Sequence, residues 1–300
     1  MKWRIIILRY VVVQKLKNKP VVSIIGVNSF IGSFLKRKLS EDNFEVISTS
    51  RRRNSNSDKF LDLSEDPVCW PEIKSDIAVI CAGVTSIKSC EIEKDYTSKI
   101  NLHSTSKLAK ILAEQGTHVL LLSTSQVFDG SIPFVHHNSN VHPLSEYGRQ
   151  KASAEQCIIG LKKNGSILRI SKVLNKHSGI VNRWILDLKN GKRILSYANL
   201  KLAPVSQDHV YKIIKQIIIK REYGIFHCSA SKDISYTDLA LNIVNSLNLS
   251  KKLVEIQEVR KESIYLNRIP QHSTLNMEKE YRVFGIKQPL VEGIIDKVVN

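Results

Sequence analysis

Two side chains that can exchange a proton, Tyr147 and Lys151, stand four residues apart in Tyr147-Gly-Arg-Gln-Lys151. Residues i and i+4 of a helix share a face, so we expect the phenol and the ammonium to point the same way. A nearby cation favours the phenolate and lowers a tyrosine pKa that ordinarily lies near 10. We therefore expect Tyr147 to donate or accept a proton at neutral pH. Thr124, upstream in Ser123-Thr-Ser-Gln-Val-Phe-Asp-Gly130, is predicted to end a strand and to hold the oxygen that the tyrosine protonates.

A glycine turn near the N-terminus has the context of a dinucleotide-binding fingerprint. The β-branched run Val21–Ile25 leads directly into Gly26-Val-Asn-Ser-Phe-Ile-Gly32, and residues 34–39 have apolar side chains at helical spacing. Strand, glycine turn and helix in this order are what the fingerprint requires. Gly26 would allow the tight turn, and Gly32 would let the helix pack closely on the strand. The helix N-terminus would then face a pyrophosphate with its free amides.

The end of the second predicted strand bears on the choice of cofactor. Phe44–Ser48 is followed by Thr49-Ser50-Arg51-Arg52-Arg53. Sites for NAD place an acidic residue near this point to bind the ribose 2′-hydroxyl, whereas arginine suits the 2′-phosphate of NADP. Arg51 and Arg52 therefore predict NADP(H), with NAD as the alternative. The competing interpretation is a solvated turn of arginines.

The order of these and later motifs resembles the extended short-chain dehydrogenase/reductases. Within that superfamily, the chain is similar to the dTDP-4-dehydrorhamnose reductase group of nucleotide-sugar reductases. The motifs that carry the resemblance are Gly26…Gly32, Asp62-Leu63, Ile80-Cys-Ala-Gly83, Asn101, Leu122–Gly130, Pro143–Lys151, Ile167–Ser171, Pro204–Val210 and Arg268–Leu275. The order is specific for the superfamily, while it does not assign one substrate.

The resemblance implies roles for individual residues. The catalytic set would be Thr124, Tyr147 and Lys151, with Lys151 also holding the nicotinamide ribose. Together with the residues derived above, the cofactor-binding set would be Gly26, Ser29, Phe30, Ile31, Gly32, Arg51, Arg52, Asp62, Leu63, Cys81, Ala82, Gly83, Tyr147 and Lys151. The substrate-binding set would be Val84, Ser125 and Lys172. Two positions carry competing interpretations: Asn101 is either catalytic or caps a backbone group, and Asp62 either contacts the adenine or is an ordinary turn residue.

Three positions depart from the family pattern. Ser29 replaces the middle glycine of the turn, and its hydroxyl would either bond the phosphate or crowd it. Lys172 replaces a residue that is often tryptophan in the rhamnose-forming reductases. Residues 197–203 lack the usual Asp-Gln and glycine of that segment. The last two departures leave the particular sugar open.

Alternating apolar strands and helices predict the fold class. Strands are expected near 21–25, 45–48, 77–81, 118–123 and 166–170, and helices near 30–40, 100–115 and 145–160. Such alternation predicts an α/β, Rossmann-type doubly wound parallel sheet with a smaller C-terminal substrate-binding lobe. In the second half, Ile180–Leu188 and Tyr236–Leu247 are predicted helices and Tyr223–Cys228 a strand. The predicted domains are an N-terminal extension (1–19), an NAD(P)-binding domain (20–172) and a mainly substrate-binding lobe (173–300) with segments that return to the first domain.

The composition limits which binding partners and which cell compartment we expect. The formal charge of +17 suggests an anionic ligand, but no nucleic-acid-binding motif accompanies it. The five cysteines and nine histidines form no metal-ligand array, so we expect no metal site, and the unpatterned cysteines suggest reduced thiols in the cytoplasm. The apolar run Ile5–Val13 is too short to span a bilayer and lacks a signal-peptide cleavage site. We interpret it as part of a non-catalytic extension.

These features together predict NADPH-dependent reduction of a 4-keto nucleotide sugar in polysaccharide or deoxysugar biosynthesis. A 4,6-dehydratase would need acidic residues directly after Thr124, where Ser125 and Gln126 stand instead. A nucleotide-sugar epimerase has the same threonine, tyrosine and lysine and stays an alternative. A non-catalytic regulatory subunit that binds NADP or a nucleotide sugar is the alternative from another class. The expected partner is a nucleotide-sugar substrate, and homodimer formation is left open.

Overall fold

The computed structural model describes residues 19–53, 57–259 and 270–299. The strands in these residues are β1 (Val22–Ile25), β2 (Val46–Ser50), β3 (Lys59–Phe60), β4 (Ile77–Ile80), β5 (His118–Thr124), β6 (Gly165–Ile170), β7 (Lys172–Leu174), β8 (Ile194–Tyr197), β9 (Lys201–Leu202), β10 (Pro204–Ser206), β11 (Gly224–Cys228), β12 (Ile234–Ser235) and β13 (Val254–Gln257). The α-helices are α1 (Phe30–Glu41), α2 (Ile87–Ile92), α3 (Lys94–Ser98), α4 (Thr105–Glu114), α5 (Glu146–Gly160), α6 (Gly179–Lys189), α7 (Gln207–Lys220), α8 (Tyr236–Ser246), α9 (Glu278–Phe284) and α10 (Val291–Val299).

Seven of these strands form a parallel sheet in the order β3-β2-β1-β4-β5-β6-β11. The central strands β1 and β4 are buried along their whole length, as expected when helices cover both faces of a parallel sheet. The strand order reverses between β1 and β4, and a ligand of such a sheet binds at the carboxyl ends of the strands beside that point. The predicted Rossmann-type fold is confirmed.

Each face of the sheet has its own apolar core. On one face, Leu35 and Leu39 of α1 and Ile213 and Ile217 of α7 pack against the strands. On the other face, α4 and α5 contribute Leu108, Leu112, Ala154 and Ile158. These side chains recur at intervals of three or four residues, which places them on one stripe of each helix. The helical predictions for 30–40 and 145–160 are therefore confirmed.

The predicted helix at 100–115 differs at its start. The α-helix α4 begins at Thr105, and the preceding residues, Lys99–Ser104, form a π-helical turn. The Thr105 hydroxyl donates a hydrogen bond to the Ile100 carbonyl at 2.8 Å, inside this turn. Single π-helical turns often occur at functional sites, and this one contains Asn101.

A second region, formed by elements that follow β6, has a core of its own. Val181 and Trp184 of α6, Leu239 and Ile243 of α8 and Ile294 of α10 are buried together. Three short two-stranded pairs border it, β7 with β10, β8 with β13 and β9 with β12. The predicted helices at 180–188 and 236–247 and the strand at 223–228 are confirmed.

The polypeptide crosses between these two regions more than once. Helix α7 and strand β11 follow the first elements of the second core, yet they pack in the layers of the central sheet. The domain boundaries given above stay a prediction, and the extension at 1–19 lies outside the described residues except for Lys19. None of the helices in the described ranges is long and apolar enough to cross a membrane.

Candidate active site

Helix α5 carries two of the predicted catalytic residues and begins one residue before the first of them. The Ser145 hydroxyl accepts a hydrogen bond from the Gly148 amide at 3.1 Å, which caps the helix. A carboxylate oxygen of Glu91 accepts from the Glu146 amide at 2.8 Å. Two of the otherwise unpaired amides of the first turn are thereby satisfied. Tyr147 and Lys151, which follow, are both buried.

Gly148 lets this helix lie against the turn that follows β5. A Cβ atom at this position would lie 2.9 Å from Pro143 Cβ and would overlap the Gln126 carbonyl oxygen. The close approach brings Tyr147 to Thr124, the last residue of β5, and the two side chains form a hydrogen bond. The predicted threonine and tyrosine thus meet at the carboxyl edge of the sheet.

The electrostatics of Tyr147 differ from the sequence-based expectation. Burial raises the pKa of Tyr147 well above its usual range, and the hydrogen bond with Thr124 only partly opposes that rise. The Lys151 ammonium donates to the Leu122 carbonyl at 2.7 Å, and its position does not counter the rise in the tyrosine pKa. The prediction that Lys151 lowers the Tyr147 pKa is therefore wrong for this structure. Tyr147 is a protonated phenol at neutral pH.

Lys151 is the side chain of this set that titrates closest to neutrality. Burial lowers its pKa to about 8, and the neighbouring Glu155 carboxylate opposes that fall. Cys81 itself is held as a thiol, because burial raises its pKa to about 12 against the opposing field of Lys151. The predicted Cys81 and Lys151 are therefore close neighbours at the ends of β4 and β5.

A cavity of about 290 Å³ lies where the strand order reverses, beside the glycine turn. It is lined by Ile25, Gly26, Asn28, Ser29, Ser50, Arg51, Arg52, Leu61, Asp62, Leu63, Ala82, Gly83, Val84 and Ile100. Eight of the predicted cofactor residues are in this set, with Val84 from the predicted substrate set. The cavity thus joins the ends of β1, β2 and β4.

The glycine turn fits the close approach of a dinucleotide. Gly26 has φ +91°, a left-handed conformation that favours glycine, and a Cβ atom there would lie 2.8 Å from Ala82. A Cβ atom at Gly32 would lie 2.7 Å from Ser29 Oγ and would overlap the Gly26 carbonyl. Phe30, Ile31 and Gly32 form the first turn of α1, directly after Ser29, which lines the cavity.

The Ser29 hydroxyl has a structural use. Its oxygen accepts a hydrogen bond from the Gly32 amide at 3.0 Å, so Ser29 is the N-cap of α1. The side chain also lines the cavity. The residue that departs from the family glycine therefore stabilises the helix whose N-terminus would bind the pyrophosphate.

Arg51 and Arg52 are exposed at the cavity, as an anionic ligand would require. Sequence reasoning missed two neighbours, Asn28 and Ser50. The Ser50 hydroxyl accepts hydrogen bonds from Asn28 Nδ2 and from the Arg52 amide, each at 2.9 Å. The glycine turn and the arginine turn are therefore linked. The third arginine, Arg53, stacks on Phe60 instead, with 4.1 Å from the guanidinium carbon to the ring centroid.

Asp62 forms a local turn and also lines the cavity, and its contact with the adenine stays a prediction. It lines the cavity with Leu63. One of its carboxylate oxygens also accepts hydrogen bonds from the amide and hydroxyl of Ser64, each at 2.8 Å, which forms a local turn.

Asn101 holds the segment after β4 in place. Its side chain accepts from the Val84 amide at 2.8 Å and donates to the Val84 carbonyl at 2.9 Å and to Gln150 Oε1 at 2.8 Å. These bonds satisfy the backbone of Val84 and tie it to α5. The capping interpretation of Asn101 is therefore the one that its contacts support.

The two other predicted substrate residues lie at the same edge of the sheet. Ser125 is buried and begins a short 3₁₀ turn directly after Thr124. Thr124 pairs with Ile170 in the register of β5 and β6, and Lys172 stands two residues further on, as the first residue of β7. The Lys172 side chain is exposed, yet the protein around it still lowers its pKa through desolvation.

A parallel sheet of this order, with a glycine turn after β1 and a cavity where the strand order reverses, defines a protein of the Rossmann-type nucleotide-binding class. The chain belongs to the family described as the RmlD substrate binding domain, whose sequence model matches residues 21–300. The predicted resemblance is confirmed at the level of this family.

Relatives and a solved structure agree with this assignment. The dTDP-4-dehydrorhamnose reductase of Aggregatibacter actinomycetemcomitans is 25% identical over 226 residues, which cover 71% of this chain and 77% of that protein. The methionine adenosyltransferase 2 subunit beta of Xenopus laevis is 20% identical, and the match covers 91% of this chain and 88% of that protein. The crystal structure of dTDP-4-dehydrorhamnose reductase from Bacillus anthracis in complex with NADP superposes with a TM-score of 0.81, at 24% identity, over 93% of this chain and 98% of that one.

Proposed function

We propose that the protein is an NADPH-dependent reductase of a 4-keto nucleotide sugar, in the manner of a dTDP-4-dehydrorhamnose reductase. The observation that carries the proposal is the meeting of Thr124, Tyr147 and Lys151 at the carboxyl edge of the sheet, beside the cavity of the glycine turn. The names of the relatives support the same chemistry.

Tyr147 would act as the general acid of the reduction. Bound NADPH would supply a hydride to the carbonyl carbon of the substrate. The raised pKa of Tyr147 keeps the phenol protonated and ready to donate to the carbonyl oxygen. Thr124 Oγ1 accepts from the Gln126 amide at 3.2 Å, which leaves the hydroxyl proton of Thr124 to stabilise that oxygen as negative charge grows on it.

Lys151 would supply positive charge to the same region. Its ammonium is anchored on the Leu122 carbonyl, and its pKa of about 8 keeps it largely charged at neutral pH. Because Lys151 does not lower the Tyr147 pKa, its charge would act on the bound cofactor. Lys151 would also hold the nicotinamide ribose, as the resemblance implies.

Arg51 and Arg52 would select NADPH over NADH. Both guanidinium groups are exposed at the cavity, and Ser50 links their turn to the glycine turn through Asn28. Arginine forms strong charge-assisted hydrogen bonds with phosphate oxygens. An acidic residue, which would bind the 2′-hydroxyl of NADH, does not occur among residues 49–53.

Val84, Ser125 and Lys172 would contact the sugar nucleotide. They follow β4, β5 and β6, at the carboxyl edge of the sheet. A compact ammonium on Lys172 favours a polar or anionic group over the apolar face of a deoxysugar. We therefore propose a keto sugar other than the precursor of rhamnose as the preferred substrate.

Oxidation of NADPH, measured against a panel of 4-keto nucleotide sugars, tests the proposal. Tyr147→Phe should abolish most of the turnover while NADPH binding persists. Tyr211→Phe is the matched control, since Tyr211 is also buried but bonds to Lys38 and Asp42 on the outer helices. Turnover of a substrate with no net NADPH consumption would indicate an epimerase, and equal activity in Tyr147→Phe would refute the assigned acid.

A non-catalytic regulatory subunit is the second candidate. The specific observation in its favour is the match to methionine adenosyltransferase 2 subunit beta, which covers more of both chains than the match to the reductase of Aggregatibacter. The presence of both Tyr147 and Lys151 favours the reductase. If NADPH binds but no panel substrate is reduced or epimerised, a search for a protein partner becomes the decisive experiment.

A further inference from the structure

A fully buried ion pair lies behind the proposed catalytic set. Arg169 on β6 donates to both carboxylate oxygens of Glu155 on α5, at 2.7 and 3.1 Å. The Ser123 hydroxyl on β5 donates to the same carboxylate at 2.5 Å. Glu155 is 0% and Arg169 2% exposed. Burying charged groups is costly unless they are paired. A buried ion pair next to the proposed site is therefore expected to have a role in that site.

The ion pair belongs to a regular set of contacts between α5 and the end of β5. Tyr147, Lys151 and Glu155 recur every four residues and therefore share one face of the helix. They contact the last three residues of the strand: Tyr147 bonds with Thr124, Lys151 with the Leu122 carbonyl and Glu155 with the Ser123 hydroxyl. The helix is therefore attached to the strand on both sides of Lys151.

We propose that Glu155 is a positioning residue of this site: its carboxylate, shared between Ser123 and Arg169, fixes the end of β5 against α5 and supplies the negative charge that keeps the Lys151 ammonium charged. This role deepens the proposed reductase function and rests on it for its effect on turnover. Glu155 itself touches neither the cavity nor the proposed reacting atoms.

The charges around Lys151 determine in which direction its pKa changes when the Glu155 charge is lost. Glu155 raises the Lys151 pKa, against the burial that lowers it to about 8. Cys81, directly after β4, stays a neutral thiol at this pH and supplies no negative charge. Arg169 faces Glu155 from β6. Behind Arg169 lies His227 on β11, whose pKa is lowered to about 3 by burial and by Arg169, so this histidine carries no charge at neutral pH. Loss of the Glu155 charge would therefore lower the Lys151 pKa further.

Replacing the Glu155 carboxylate by an amide removes the charge and keeps the shape of the side chain, so the effect of the charge alone is measured. In Glu155→Gln, the Lys151 ammonium loses its nearest anion, and we expect the Lys151 pKa to fall by about one pH unit or more, the usual effect of an opposite charge nearby. The alkaline limb of the kcat profile should move to lower pH by the same amount. Glu155→Asp keeps the charge and should restore the limb toward its wild-type position.

Two further variants separate this role from general stabilisation. Glu280→Gln is the matched control, because Glu280 is also fully buried and accepts a hydrogen bond, from the His227 amide at 2.7 Å, yet lies on the β11 side of the sheet. The double variant Glu155→Leu with Arg169→Met removes both partners, so no unpaired charge is left to unfold the protein. It should fold and melt cooperatively, and its alkaline limb should remain shifted.

Titration of the Lys151 side chain by nitrogen-15 NMR gives a readout that does not depend on turnover. Lys151→Arg assigns the signal. A lowered Lys151 pKa in Glu155→Gln and in the double variant, with the wild-type value in Glu280→Gln, is the expected result. A wild-type Lys151 pKa in the folded double variant would overturn the proposal and leave the pair a purely structural feature. If no substrate is turned over, the reductase assignment fails while this titration still decides the role of Glu155.

Discussion

Gly148→Ala tests whether contact between α5 and the turn after β5 sets the geometry of the site. The added Cβ atom would lie 2.9 Å from Pro143 Cβ and would overlap the Gln126 carbonyl oxygen, whereas ordinary contacts begin at 3.4 Å. The helix or the turn must move by roughly 1 Å, a displacement that can cost about 10²-fold in rate when it misplaces a reacting group. Overpacking costs about 1–3 kcal/mol, from which the better helix propensity of alanine recovers about 0.5–1 kcal/mol.

Gly160→Ala is the matched control on the same helix. A Cβ atom at Gly160 would meet no atom within 4 Å, so this variant should be as stable as the wild type or up to about 1 kcal/mol more stable. Urea unfolding of both variants measures the stabilities, and kcat with NADPH measures the geometry. If Gly148→Ala gained stability like Gly160→Ala and kept its kcat, the close contact would have no part in holding Tyr147 against Thr124.

Four further outcomes are expected. Tyr147→Phe should reduce kcat by about 10² or more, the usual effect of a positioned proton donor, with little change in the Kd of NADPH. Replacing Arg51 and Arg52 together by alanine should weaken NADPH binding by about 1–2 kcal/mol per lost contact and leave NADH binding unchanged. Titration with both cofactors measures this, and a wild type that binds both equally would count against a role for these arginines. Lys172→Trp should raise kcat/KM for dTDP-4-dehydrorhamnose, and efficient wild-type turnover with no gain in the variant would contradict the altered specificity. Lys151→Met should be more stable by roughly 2 kcal/mol below pH 8, because a pKa lowered from 10.5 to about 8 costs roughly 3 kcal/mol and the lost hydrogen bond to a strand carbonyl offsets about 1 kcal/mol. Since the unfolded chain binds more protons between pH 8 and 10.5, wild-type stability should rise by roughly 3 kcal/mol across that window. Above it the wild type should be more stable than the variant by about 1 kcal/mol, the lost hydrogen bond, as unfolding at several pH values would show.

Periodicity and turn chemistry were sufficient to predict the sheet. The run Val22–Ile25 is β-branched and buried on both faces, and it leads into a glycine that must adopt φ +91°. Those two features locate β1 and the cofactor turn without any knowledge of distant contacts. The start of α4 was not predictable in the same way. A π-helical turn at Lys99–Ser104 could not be predicted from hydrophobic spacing, since a single turn with different backbone hydrogen bonds is too short to set a period of its own.

The electrostatic error at Tyr147 has a specific physical origin. Spacing on a helix gives the direction of Lys151 relative to Tyr147, but the pKa of a phenol depends also on how much water surrounds it. Here α5 lies so close to the turn at Gln126 that the phenol is buried, and desolvation raises its pKa while the ammonium, bound to the Leu122 carbonyl, does not oppose that rise. The contact that brings Tyr147 to Thr124 is therefore also the contact that raises its pKa.

The same burial gives Glu155 its significance. An ammonium at Lys151 without a nearby anion would lose its proton more readily in so dry a site, and the carboxylate one helical turn further on opposes that loss. A sequence reader can place Tyr147, Lys151 and Glu155 on one face of α5, but Arg169 stands on another strand and joins them only when β6 pairs with β5. The charge balance of the site therefore depends on tertiary contacts, which the spacing of residues along the sequence does not show. We expect chains that share the tyrosine and lysine but lack a buried pair of this kind to hold their lysine in a different charge state at the same pH.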